Sequence, residues 1–204
     1  MTLLTPAVTT GCPRIRIPQP RGVYLGPDFE AADCFTSSGD LDLDGLRDFC
    51  EFQLALSFRP DLATHQFDED LSKEPYWAAR ALNPITQTVR IIYLLSYHWD
   101  NGNSHECPFD PGAFCFGHPG DSEFIELTVH YDAAVQHWMV DQAFLSAHYG
   151  SPEVCIFPLP CERADYSTTV THPYLYFPDN ERWYPRIFVA RDKNANYRSF
   201  GVCN

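Results

Sequence analysis

Beyond residue 87 the hydrophobic pattern repeats every second residue, and this confines the chain more than any other feature. Thr88–Trp99 (TVRIIYLLSYHW), Glu123–Tyr131 (EFIELTVHY), Trp138–Tyr149 (WMVDQAFLSAHY), His172–Phe177 (HPYLYF) and Pro185–Arg191 (PRIFVAR) are β-branched or aromatic runs bounded by Gly, Pro, Asn and Asp. Such runs favour a pleated, half-buried surface and read as strands. Upstream the period changes. Asp44–Phe58 places Leu46, Phe49, Cys50, Gln53, Leu54 and Leu56 near helical spacing, opens on acidic residues and stops before Pro60, which predicts one long helix. A shorter second helix is expected over Tyr76–Leu82 (YWAARAL), ahead of Asn83-Pro84. Residues 1–27, with five prolines and three glycines, read as an extended Pro-rich arm, and 28–204 as a single domain. Helix first and strands after predict a mainly β fold, an antiparallel β-sandwich with one or two helices capping it from the N-terminal third.

With 204 residues, 45% of them hydrophobic, the chain can bury about 70% of its unfolded surface in one core. Its 14 cationic side chains against 27 acidic ones give a net charge of −13, which repels phosphate backbones and excludes nucleic acid as a partner. No segment reaches the roughly 20 apolar residues that cross a bilayer, and Met1–Thr10 lacks the basic start of a secretion signal. Eight cysteines without a C-x-x-C spacing favour disulfides over zinc, with Cys107–Cys115 and Cys155–Cys161 as local staples. The cysteines point to a secreted or extracellular protein; buried free thiols of a vacuolar or cytoplasmic one are the alternative.

The polar residues of interest surround Gly117-His118-Pro119-Gly120-Asp121-Ser122-Glu123. Strand alternation puts Asp121, Glu123, Ile125, Leu127 and Val129 on one face. An antiparallel return with Val129 opposite Val140 sets Glu123 opposite Ser146 and Asp121 opposite His148. His118, Asp121, Glu123, Ser146 and His148 then meet at one end of an apolar face. Two carboxylates brought together repel, and a proton or a cation must settle between them. Asp121, Glu123, His118 and His148 are therefore the expected metal ligands, for Mg²⁺, Ca²⁺ or Mn²⁺, with Zn²⁺ as the softer alternative. Histidines that only bond loop backbone and carboxylates that only face water are the competing account.

His118-Pro-Gly-Asp121-Ser-Glu123, then Ser146-Ala-His148-Tyr-Gly150, then Lys193-Asn-Ala-Asn-Tyr197 before Cys203 resembles the Vps62-like family, whose pattern is H-x-G-D-x-E, S-x-H-x-G and K-H-A-x-Y. The likeness spans roughly residues 45–203, and Asn194 departs from it by standing where that family usually carries His. The first element is also similar to the H-R-H-D-W-E element of NPP1-type necrosis-inducing proteins. That likeness implies a β-sandwich whose Asp, His and Glu hold a divalent cation used on membrane glycolipid head groups. Carried onto this chain, the resemblance adds Lys193, Asn194 and Tyr197, with Ser146, as residues at the pocket mouth.

A separate signal lies upstream. Asp40-x-Asp42-x-Asp44-Gly45-x₅-Glu51 has the full spacing of an EF-hand loop, in which alternating oxygens, a turn-making Gly and a bidentate Glu wrap Ca²⁺. Against it stand Arg47 at the eighth position, usually aliphatic, and a short polar Asp33–Gly39 where an entering helix belongs. From sequence the favoured reading is plain complementation of a helix dipole.

The residues together lead to a divalent-cation-dependent binding module for a polar ligand such as a glycan or lipid head group. Its catalytic alternative is a metal-assisted hydrolase on the same site, with Glu123 or His148 as general base. The non-catalytic alternative is a structural or trafficking adaptor. Ser146 beside His148 lacks the G-x-S-x-G elbow of a nucleophile.

Overall fold

The computed structural model describes residues 15–16, 31–64, 75–100, 118–134, 136–147, 149, 165–177, 184–190 and 195–199. Two sheets and a helix organise them. Strands β1 (Ile15–Arg16), β2 (Asp61–Thr64), β8 (Arg186–Val189) and β9 (Asn196–Tyr197) form a four-stranded sheet in the order β1-β2-β8-β9. Strands β3 (Tyr76–Asn83), β4 (Thr88–Asp100), β5 (His118–Asp132), β6 (His137–Leu145) and β7 (Thr168–Thr171) form a five-stranded meander in chain order. Helices α1 (Ala31–Cys34) and α2 (Asp48–Ser57) precede the meander. One core joins Leu46, Leu54 and Phe58 around α2 to Leu62, Ile187 and Val189 of the first sheet and Ile91, Tyr93, Ile125 and Leu127 of the second. The fold is mainly β, as the strand runs predict, and a helix from the N-terminal third covers it.

Four expectations are corrected. Tyr76–Leu82 is not a helix: it is the edge strand β3, paired antiparallel with β4 from Tyr76 opposite Leu94 to Ala81 opposite Val89. Its Ala, Arg and Leu favour a helix locally. The Asn83–Gln87 hairpin, where Asn83 Oδ1 accepts from the amides of Ile85 and Thr86, lays it on the long β4 instead. His172–Phe177 is not a strand, because His172–Tyr174 turns as a 3₁₀ segment around Pro173, which has no N–H to donate to a ladder. The pairing of β2 with β8 is parallel, so the first sheet is not wholly antiparallel. There Asp61 and Arg186 stand opposite one another and form a largely buried ion pair, with side chains 8% and 13% exposed. Finally, α2 begins at Asp48 rather than Asp44 and turns Phe49 outward; Cys50, Gln53, Leu54 and Ala55 are its buried face.

The β5–β6 register follows expectation only near the turn. Val129 faces Val140 as predicted, but an extra residue at Asp141 shifts the ladder so that Leu127 faces Ala143 and Ile125 faces Leu145. A bulge of this kind reverses which side chains point inward. Ala143 and Leu145 become core, while Gln142 and Phe144 move to the half-exposed face. The bulge residue Asp141 is held by Nδ1 of His130, 2.7 Å from its carboxylate.

No helix in the described residues is long and apolar enough to span a membrane. A disulfide joins Cys34 to Cys50, a bond that persists in oxidising compartments. Cys107, Cys115, Cys155 and Cys161, the expected local pairs, lie outside the described residues.

Candidate functional site

The segment between the two disulfide-linked cysteines folds as a closed acidic loop. The Arg47 amide donates to the Cys34 carbonyl at 2.9 Å and the Asp48 amide to the Gly39 carbonyl at 3.0 Å, fixing both ends. Inside the loop Asp40, 9% exposed, accepts from the amides of Asp44 (3.2 Å) and Gly45 (3.1 Å) through its two carboxylate oxygens. Asp44 accepts from the Leu46 amide at 2.9 Å, and Asp48 from the Leu41 amide at 2.9 Å. Gly45 sits at φ +91° with its backbone against β3: a Cβ there would come 3.2 Å from Cβ of Ala81. The position therefore needs glycine for its torsion, and a methyl group would also crowd β3.

This winding gathers carboxylates. Oxygens of Asp40, Asp42 and Asp48 lie within 4.8 Å of one another, as do those of Asp42, Asp44 and Glu51. Asp48, which the sequence reading passed over, occupies the ninth position of the loop, where its spacing from Asp40 could have identified it. Among the described residues no Lys or Arg forms an ion pair with any of the five. Burial, followed by the neighbouring charges of Asp44, Asp42, Asp48 and Asp40, pushes the Glu51 carboxyl up to about 7. Burial also raises Asp44, against the opposing hydrogen bond from Leu46 and the more distant Arg80. Oε1 of Glu51 is buried with no hydrogen-bond partner. Acidic residues in the first turn of a helix gain about 0.3–1 kcal/mol from its dipole. One carboxyl moved from 4.5 to about 7 opposes that, by about 1–2 kcal/mol once solvent screening of a partly buried side chain is allowed for. At Glu51 the burial and mutual repulsion of the carboxylates thus offset what dipole complementation contributes.

Both sequence objections to a cation loop have structural answers. Arg47 turns away from the carboxylates and donates from Nη1 to the Asp33 carbonyl at 3.3 Å. The missing entering helix is replaced by the four-residue α1, anchored to α2 through Cys34–Cys50. Acidic residue clusters of this geometry could hold a metal ion, and their all-oxygen donor set suits a hard cation such as Ca²⁺.

The second polar group lies where β5, the end of β6 and β9 meet. Glu123, 2% exposed, follows Asp121 on the inward face that continues through Ile125, Leu127 and Val129. The hydroxyl of Ser146, fully buried, donates to Oε2 of Glu123 and accepts from the Phe124 amide at 2.6 Å. The expected register pair of Glu123 with Ser146 is not formed, since the ladder runs to Ile125 opposite Leu145 and the Ser146 amide donates to the Phe124 carbonyl, but the two side chains are joined by this hydrogen bond. Asp121 accepts from the Ser122 amide at 2.8 Å. Asn196, which the sequence reading missed, is fully buried beside them. Its amide donates to the Ser146 carbonyl (3.0 Å) and Nδ2 to the Phe124 carbonyl (3.4 Å), while Oδ1 is buried without a partner. Tyr197 is half-buried against Ala147, Ala190 and Ala195. The side chains of His118, His148, Lys193 and Asn194 lie outside what is described, and among described residues no set of three metal-ligating groups includes Asp121 or Glu123.

No family model, curated protein or solved structure matches the chain.

Proposed function

We propose that the chain is a calcium-dependent binding module whose ion is held by the Asp40–Glu51 loop. The observation that carries this reading is two carboxylate triads that share Asp42, Asp40–Asp42–Asp48 and Asp42–Asp44–Glu51, with no Lys or Arg ion-paired to them among the described residues, around a loop already closed by its own amides and a disulfide. Asp40, Asp42, Asp44, Asp48 and Glu51 supply the oxygens. A flexible all-oxygen set favours Ca²⁺, with its six to eight ligands, over Mg²⁺, which keeps several of its waters. The expected affinity is that of extracellular modules, a Kd of about 10⁻⁴–10⁻³ M, in keeping with a secreted protein. Calorimetric titration of the chelator-stripped full chain tests this. One Ca²⁺ site, lost in Asp42→Asn and Glu51→Gln, is expected; no heat and no thermal stabilisation at about 10 mM Ca²⁺, well above that affinity range, defeats the reading.

A second reading places a cation at the β5 end, and the buried partnerless Oδ1 of Asn196 favours it. Asp121, Glu123 and Asn196 would supply oxygens there, with His118 and His148 as the added ligands that the Vps62-like resemblance implies. The metal-assisted hydrolase belongs to this second reading. A panel of ester, phosphoester and glycoside substrates with and without Ca²⁺, Mg²⁺ and Mn²⁺ separates it, since metal-dependent turnover lost in Asp121→Ala is expected only if this end of the sheet performs chemistry.

A further inference from the structure

The five-stranded meander turns its second face away from the core. In β4 Ile91, Tyr93 and Leu95 are buried, so Ile92 and Leu94 stand on the opposite side of the sheet. The ladder carries an apolar row across that side, with Tyr76 opposite Leu94 and Leu94 opposite Phe124. The row continues in aromatic rings. Phe124 stacks on Phe144 with ring centres 5.5 Å apart, and Tyr149 meets both edge-on, at 5.2 and 5.5 Å. Tyr76, Leu94 and Tyr149 are 71%, 41% and 62% exposed. Single exposed apolar residues are ordinary, whereas five side by side on one sheet face form a contiguous patch of the kind that marks an interaction site.

We infer that this face packs against the same face of a second copy of the chain, forming a two-fold dimer. Three features select that occupant. Charge is the first. Over the rectangle that β3 marks out on β4, β5 and β6, the described residues set two cations, Arg80 and Arg90, against two anions, Glu126 and Asp141, with His130 beside the latter. That balance of zero stands on a protein of net charge −13. Copies repel wherever their acidic surfaces meet, so a neutral face is where two of them can approach, and it offers a strongly charged partner nothing to pair with. Shape is the second, since a sheet twists with a fixed hand and another sheet of the same twist stacks on it with side chains interdigitated. Rigidity is the third: the three interlocked rings are already held in place, so docking them costs little ordering entropy. Size then sets the strength. Four strands about 4.8 Å apart and eight residues deep, the length of β3, give a face of roughly 500 Å² at about 3.4 Å per residue. Two copies bury about 1,000 Å², the lower limit of a specific interface, and the dimer is therefore weak and concentration-dependent.

The test is analytical ultracentrifugation of the full chain, in chelator so that no cation bridges copies, from about 5 to about 500 µM. A monomer–dimer equilibrium within that range is expected. Association should strengthen as NaCl is raised from about 0.05 to about 0.5 M, because salt screens the repulsion between two chains of charge −13 and leaves the apolar contact. Leu94→Lys and Tyr149→Ser should each raise the dissociation constant about tenfold or more. Leu41→Ser, a control in the acidic loop, should leave it unchanged. Thermal melts within about 2 °C of the parent show that the variants fold. A chain that stays monomeric throughout, a dimer that both face variants leave intact, or a dimer that weakens with salt each overturns the inference, and the first of these leaves the face to solvent or to a different protein.

Discussion

Replacing Glu51 by glutamine gives the calcium reading its sharpest test, because the two effects of the change have opposite signs. In the metal-free protein the Glu51 carboxyl titrates near 7 instead of 4.5. The folded state therefore holds its proton more tightly than the unfolded chain does. The associated stability is fully present below pH 4.5 and is lost as pH rises through about 7, the sign required when the native state binds more protons. A carboxyl moved by that interval corresponds to about 3.4 kcal/mol, and solvent screening of a partly buried side chain reduces this to about 1–2 kcal/mol. The glutamine amide carries no charge, so at pH 8 in chelator the Glu51→Gln variant should melt higher than the parent. After subtraction of the lost helix-dipole interaction, a net gain of about 1 kcal/mol remains, or about 2–4 °C for a chain of this size. In Ca²⁺ the order reverses. At one hundred times Kd the parent gains about 2.7 kcal/mol, while the variant, lacking a carboxylate ligand, gains little. Differential scanning calorimetry at pH 4.5 and pH 8, with Ca²⁺ and with chelator, reads all four values. A variant that melts below the parent in chelator at pH 8, or that keeps the parent's Ca²⁺ shift, refutes the argument.

Other parts of the fold yield independent expectations. Gly45→Ala forces a Cβ into a left-handed torsion and against Ala81, and should cost about 1–3 kcal/mol in a urea melt; an unchanged midpoint would show that the loop backbone is not held as described. Cys34→Ser with Cys50→Ser should lower stability by about 2–4 kcal/mol and weaken Ca²⁺ binding, measured by calorimetry on the oxidised parent and the double variant. Glu123→Leu leaves the buried Ser146 hydroxyl without its acceptor, a loss of about 1–3 kcal/mol. A loss under about 0.5 kcal/mol would mean that this bond contributes little to joining β5 to Ser146. Asp61→Ala strands the Arg186 guanidinium at the parallel β2–β8 pair and should cost about 3–5 kcal/mol, read from the same urea melts.

How far the sequence discloses this molecule depends on whether the deciding interaction is local. Ile125, Leu127 and Val129 alternate with Glu126, Thr128 and His130, and that alternation places β5 with its inward face correct; in β4 the apolar Ile92 and Leu94 stand between Ile91, Tyr93 and Leu95, so its run marks a strand but not which face is buried. Tyr76–Leu82 carries no such signal: an exposed edge strand rich in Ala and Arg looks helical until the hairpin at Asn83 and the length of β4 decide otherwise. The bulge at Asp141 is equally silent, because the chain offers apolar residues on either register and only the core selects Ala143 and Leu145 over Gln142 and Phe144. The Glu123–Ser146 bond survived a wrong register for a related reason: Ser146 lies past the end of the strand, where the ladder no longer dictates its direction.

The acidic loop reverses the usual relation between pattern and context. Its spacing is wholly local and complete in the sequence, yet two local departures, Arg47 and the absent entering helix, count against it there. What resolves them is a link between residues 16 apart, Cys34–Cys50, which no spacing rule selects from the 105 pairings that eight cysteines allow. The bond fixes α1 against α2, so the four-residue α1 can occupy the place of a full helix. Arg47 is then free to face α1, where it donates to the Asp33 carbonyl, instead of packing as an aliphatic residue would. That one disulfide thus ties together the two ends of a short, highly charged segment whose clustered carboxylates could hold a metal ion.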